Sequence, residues 1–113
     1  MNLKIYYRNL EPNKMEQNYL RYRLKQITEE YPEVTNIKVR LSYSDNQFHA
    51  RVSGKYLKLD VTEKWSSPIL LICISKLSEK LDEKLNVYRR RFGIMAPLNM
   101  EKSSVYSNIQ KSI

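Results

Sequence analysis

Lys76, Lys80, Lys84 and Arg91 stand one or two helical turns apart, and the run Arg89-Arg90-Arg91 closes the series. At about 100° per residue they fall on one line of a helix, while Glu79 and Glu83 turn away from it toward solvent. An ordinary solvated face mixes its signs. A sorted line of ammonium and guanidinium groups suits successive phosphates, whose contacts position a protein on nucleic acid without reading its sequence. Lys14, Arg21 and Lys25, with Asn18 between them, form a second line further upstream. The two lines are expected to make one shared surface. The arginine run also has a modest structural use, since cations near a helix C-terminus offset its dipole by roughly 0.3–1 kcal/mol.

Other chemistries find less support. Two glycines, Gly54 and Gly93, cannot build a phosphate-cradling loop. One histidine, His49, and one cysteine, Cys73, supply neither a zinc cage nor a nucleophile pair with an orienting third group. Glu29, Glu30, Asp60 and Glu63 lie among basic residues, which favours ion pairing over acid–base work. The sequence points to a binding protein, not an enzyme, with no metal or other cofactor.

Both lines need elements to hold them. Asn2 to Arg8 alternates, Leu3, Ile5 and Tyr7 against Lys4, Tyr6 and Arg8, as a half-buried strand does. Asn13, with Glu16 three residues on, reads as a capping box that opens a helix to about Glu30. Its seam is Leu20, Leu24, Ile27 and Tyr31, and Pro32 ends it. Val34 to Ser44 alternates through Ile37, Val39, Leu41 and Tyr43, and Asp45-Asn46 supplies a turn. Phe48, Ala50 and Val52 give the inner face of a third strand, with Ser53-Gly54 as the expected hairpin turn after it. Leu57, Leu59 and Val61 continue in a fourth strand to about Lys64. Ser67-Pro68 is expected to cap and open a long helix, with Leu70, Cys73, Leu77, Leu81, Leu85, Tyr88 and Phe92 as its stripe.

The order β-α-β-β-β-α predicts an α+β fold. It would hold a four-stranded mixed sheet, its first two strands parallel if adjacent, with both helices side by side on one face. The other sheet face would show Lys4, Arg8, Lys38, Arg40, Arg51 and Lys58, along with Tyr6, His49 and Tyr56. That face is a second candidate surface, although exposed antiparallel faces are polar in any case. Residues 1–92 are expected to form one domain and 93–113, which has no sustained period, a flexible C-terminal tail.

With 42% hydrophobic and 28% charged residues, the 113-residue chain can bury roughly two-thirds of its unfolded surface. A net charge of +8 calls for an acidic partner, nucleic acid ahead of an anionic membrane. The longest apolar run, Ile69 to Ile74, is far short of the ~20 residues that a span requires. No signal-peptide core opens the chain, and the lone cysteine sits on an apolar stripe, so a cytoplasmic protein is expected. Among the nine tyrosines, Tyr7, Tyr31, Tyr43 and Tyr88 fall on inner faces. Tyr19 and Tyr22 lie off the main seam, where aromatics can stack on unpaired bases. Trp65 reads as a packing anchor.

Four segments resemble the ribosome hibernation-promoting factor family, also known as ribosome-associated inhibitors or subunit-interface proteins. They are Arg8-Asn9-Leu10, Tyr19-Leu20-Arg21-Tyr22-Arg23-Leu24-Lys25-Gln26-Ile27, Phe48-His49-Ala50-Arg51-Val52, and Lys76-Leu77 with Lys80-Leu81. The resemblance is a diffuse pattern over residues 2 to 92, with departures at Tyr22, Gln26, Arg51, Glu79, Asp82 and Glu83. It implies a stress-response factor that binds rRNA of the small ribosomal subunit in the decoding channel and blocks initiation by occupancy. Arg21, Arg23, Lys25, Lys76, Lys80, Lys84, Arg89, Arg90 and Arg91 would then be rRNA contacts, with Arg8, Lys14 and Tyr22 as candidates of second rank. It further implies a short form without the long form's dimerisation domain, monomeric off the ribosome, with no membrane or small-molecule partner. Two other readings stay open. One is a protein adaptor docking an acidic partner; the other is a stand-alone double-stranded RNA module, against which the uncharged Ser66-Ser67-Pro68-Ile69 counts.

Overall fold

Alternation and capping act as the sequence predicts over the first half of the chain. The computed structural model describes residues 3–93. Leu3–Arg8 forms β1, Lys14–Glu30 α1, Val34–Ser44 β2, Gln47–Tyr56 β3, Leu59–Ser67 β4 and Leu70–Phe92 α2. The four strands lie side by side in chain order. β1 runs parallel to β2, with Leu3 opposite Ile37 and Arg8 opposite Ser42, and the two later pairings are antiparallel. The Asn13 side chain accepts from the Glu16 N–H at 2.8 Å, and the Glu16 carboxylate accepts from the Asn13 N–H at 2.8 Å. That closes the capping box, which satisfies two otherwise orphaned donors. Asp45 and Asn46 both adopt left-handed backbone, as a two-residue hairpin turn of the primed type demands.

The core lies between one sheet face and both helices. Ile37, Val39 and Leu41 of β2, Ala50, Val52 and Tyr56 of β3, and Val61 of β4 are buried there. Leu20, Leu24 and Ile27 of α1 meet them beside Cys73, Ile74, Leu77, Leu81 and Leu85 of α2. Cys73 behaves as the small hydrophobe its stripe implies. Burial pushes its thiol up to about 11, and the thiol donates to the Trp65 carbonyl at 3.3 Å.

Two expected boundaries differ. The turn between β3 and β4 is Leu57-Lys58, not Ser53-Gly54. Gly54 sits inside β3 opposite a bulge in β2 between Thr35 and Lys38. A Cβ there would meet the Thr35 carbonyl oxygen at 3.2 Å, so the glycine answers a close backbone approach rather than a turn. The strand consequently runs on to Tyr56, which is fully buried on the inner face instead of lining the open one. Lys58 moves into the turn. At the second boundary, β4 continues through Ser67, whose register partner is Phe48, and α2 begins at Leu70. The Ser67 hydroxyl accepts from the Ile69 N–H at 3.1 Å, and the helix has no side-chain cap. Ladder pairing has displaced capping. The tail expected over 93–113 lies, apart from Gly93, outside the described residues.

Arg89 ties the far end of α2 to the rest. Its Nη2 donates to Glu33 Oε1 at 2.7 Å and to the Glu30 carbonyl at 2.9 Å, and its Nε donates to Glu33 Oε2 at 3.2 Å. The guanidinium also lies 4.5 Å from the Tyr31 ring centroid. The Tyr56 hydroxyl shares its proton between Glu33 Oε2 at 3.0 Å and the Gly93 carbonyl at 2.9 Å. Burial opposes the Arg89 charge, but the bonds to Glu33 outweigh it and raise its pKa. Burial, reinforced by neighbouring carboxylates, pushes both Tyr31 and Tyr56 up to about 12 from 10.0. A folded value above the unfolded one gives stability that is complete below pH 10.0 and fades as pH climbs toward about 12. In an alkaline titration followed by tyrosinate absorbance, these two of nine tyrosines should ionise last, together with the loss of helical circular dichroism. Early ionisation of all nine with helix content intact would contradict that order.

Candidate nucleic-acid interface

The cationic line of α2 faces the outer edge of the sheet. Lys84 Nζ lies 3.2 Å from Glu63 on β4, Lys80 Nζ lies 5.7 Å from the centroid of the Trp65 ring on β4, and the Tyr88 hydroxyl donates to the Asp60 carbonyl at 3.0 Å. Lys76, Lys80 and Arg91 are exposed. Glu79, expected to turn away from the line, instead reaches Lys76 at 3.5 Å, one turn along. Such exposed pairs are worth at most about 1 kcal/mol, which leaves the lysine available to a stronger anion. Arg90 is exposed, whereas Arg89 is committed to Glu33.

The line on α1 lies elsewhere. Arg21 and Lys25 border a hollow together with Leu3, Thr28, Pro32 and Thr35, on the β1–β2 side of the helix, and Lys14 is exposed at the helix start. The expected single ridge is therefore two flanks on opposite sides of the helix pair. Both helices run antiparallel to β1 and β4, hence parallel to each other, and their basic lines are offset from their core seams in opposite rotational senses. Glu30, Arg89 and Tyr31 occupy the seam between the helices. Arg23 projects to that seam side of α1; it is half-buried, and its Nε has no hydrogen-bond partner among the described residues. Tyr22 is 58% exposed on the solvent side, its hydroxyl accepting from Gln26 Nε2 at 3.0 Å.

The open sheet face carries Lys4 and Arg8 from β1, Lys38 and Arg40 from β2, and Arg51 from β3, as alternation requires. Lys55 and Lys64 join them in place of Lys58 and Tyr56. The expected turn at Ser53-Gly54 hid Lys55, whereas Lys64 follows from the alternation of β4 itself. On this face the one carboxylate among the described residues is Asp60, 2.7 Å from Lys55. Among the described residues no cluster of three or more His, Cys, Asp or Glu side chains could hold a metal, and no helix is long and apolar enough to cross a membrane.

Of the α2 cations, Lys84 is held back by a partner that is itself only 19% exposed. Glu63→Gln should free Lys84 and tighten binding to a duplex RNA oligomer severalfold in fluorescence anisotropy. Stability should change by no more than about 1 kcal/mol. Unchanged affinity would show that Lys84 does not reach phosphate.

No family model matches the chain, and no curated protein matches it. Solved structures do. A ribosomal subunit interface protein from Coxiella burnetii superposes with a TM-score of 0.73 at 14% identity, covering 80% of this chain and 99% of that one. The N-terminal domain of Thermus thermophilus Protein Y superposes with a TM-score of 0.68 at 23% identity, covering 79% of this chain and 100% of that one. The chain shares the fold of these two proteins over nearly all of its described length.

Proposed function

We propose that this protein is a ribosome-associated translation inhibitor that occupies the mRNA and tRNA channel of the small subunit by binding rRNA. The observation that carries the reading is the fold shared, over 80% of this chain and 99% of the other, with a protein named for the ribosomal subunit interface. Its charge distribution fits the same role. Lys76, Lys80 and Arg91 on one flank and Lys14, Arg21 and Lys25 on the other are exposed, so the molecule can meet phosphates on both sides at once. No bond is made or broken; inhibition is competition for space. Lys76, Lys80, Lys84, Arg90 and Arg91 would hold backbone from α2, and Arg21 and Lys25 from α1, with Lys14, Arg8 and Tyr22 at their margins. Arg23 and Arg89 contribute less, because one is half-buried and the other is paired internally.

Phosphate contacts release counterions, so log affinity should fall with log salt by roughly 0.7–0.9 for each contact. Co-sedimentation with purified small subunits should therefore weaken steeply as salt rises. The triple variant Lys76→Gln, Lys80→Gln, Lys84→Gln should lower that slope by about 2–3 while the circular dichroism stays native. Undiminished co-sedimentation of the triple variant would place the α2 flank outside the interface. Binding that survives nuclease treatment of the subunits would favour an acidic protein partner instead.

A further inference from the structure

We propose that the open face of the sheet is a second RNA-binding surface, in which Arg40, Arg51 and Lys64 hold the backbone of a single strand and Tyr6 stacks on one of its bases. The proposal goes beyond the helix flanks invoked above and does not require the ribosome to be the target. Its basis is the strand register. Tyr6 is opposite Arg40, Arg40 opposite Arg51, and Arg51 opposite Lys64, so one aromatic and three cations form a straight row across all four strands. Neighbouring members stand about 4.8 Å apart along the ladder direction. Like charges directly opposite one another destabilise a sheet, and here the arrangement occurs twice in succession. Neither the two arginines nor Lys64 makes a salt bridge among the described residues. A row that works against its own fold, with no internal anion to relieve it, is matched to an external one.

The surroundings narrow the chemistry. A shallow hollow on this face is bordered by Arg40, Ser42, His49, Arg51, Lys64 and Ser66. His49 bridges two neighbouring strands, its Nε2 3.2 Å from the Ser44 carbonyl and its Nδ1 2.7 Å from the Ser66 hydroxyl. No carboxylate borders the hollow. At the end of the row the Arg40 guanidinium lies 5.0 Å from the Tyr6 ring centroid, and Tyr6 is 44% exposed. An evenly charged polymer with a flat base to stack answers the cations and the ring together, whereas an acidic peptide answers only the cations.

The test uses the full chain and a labelled single-stranded oligoribonucleotide of about 16 nucleotides, the upper site size of comparable sheet platforms. Arg40→Gln, Arg51→Gln, Lys64→Gln together should weaken binding at low salt at least tenfold and reduce the salt slope by about 2. The thermal midpoint should hold or rise, because the variant removes facing like charges. Tyr6→Ala should weaken binding severalfold and leave the slope unchanged. Wild-type affinity and slope in the triple variant would overturn the proposal. If the triple variant is less stable, Arg51→Gln alone serves in its place: a severalfold loss of affinity with a salt slope lower by about 0.7 supports the proposal, and wild-type affinity and slope overturn it. Competition by polyglutamate as effective as that of RNA would also overturn it. Failure of the wild-type protein to co-sediment with small subunits, with oligonucleotide binding intact, would count against the proposed function alone.

Discussion

A sheet covered on one side only is the constraint from which the rest of this molecule follows. Both helices pack on the same face, so each strand must send alternate residues to a dry core and to water. Apolar side chains therefore accumulate on one side. The other side is free to take any polar group, and among the described residues the charges it takes are, Asp60 apart, all positive. The helices obey a matching rule, each with its seam down against the sheet and its basic line displaced to a flank. Charge is thereby distributed around the rim and back of the domain, while Glu79 and Glu83 are left on the exposed side of α2.

Not every cation has the same freedom. Arg89 belongs to the architecture: it joins α2 to the end of α1 and the start of β2 through Glu30 and Glu33, and it packs on Tyr31. Removing one member of such a cluster strands the other in poor solvent, which costs far more than losing a surface pair. Lys84 and Lys55 are tethered more loosely by Glu63 and Asp60. Lys80, Arg91, Arg21 and Lys25 have no salt bridge among the described residues. Sorting the cations by partner thus separates those that build the fold from those that can serve a ligand, which their positions in the sequence did not do.

Much of the fold was legible, for identifiable reasons. The capping box at Asn13, the bounds of β2 and the seams of both helices depend on short-range geometry, which the order of residues carries directly. Errors arose where a distant strand decides. Gly54 resembles a turn residue until β2 is laid beside it, and Ser67 resembles a cap until β3 claims its backbone. The fate of Tyr56 followed from the first error. The separation of the two basic flanks was in principle readable, since one line lies clockwise of its seam and the other counter-clockwise, while the strand order makes the helices parallel. Without that handedness the two lines look like one ridge. The partners of Arg89 could not have been read, because Glu33 lies 56 positions away along the chain.

The row on the open face also bears on how copies of the domain treat one another. Among the described residues β1 and β4 are the outer margins of the sheet, and unpaired margins invite a neighbouring molecule to add its own strand. Lys4 and Arg8 stand along one margin and Lys64 along the other. Any two margins brought together would crowd positive groups against positive groups, which guards against runaway stacking into fibres. That safeguard is electrostatic, so it should thin out in concentrated electrolyte and be cancelled wherever a long anion lies between two copies.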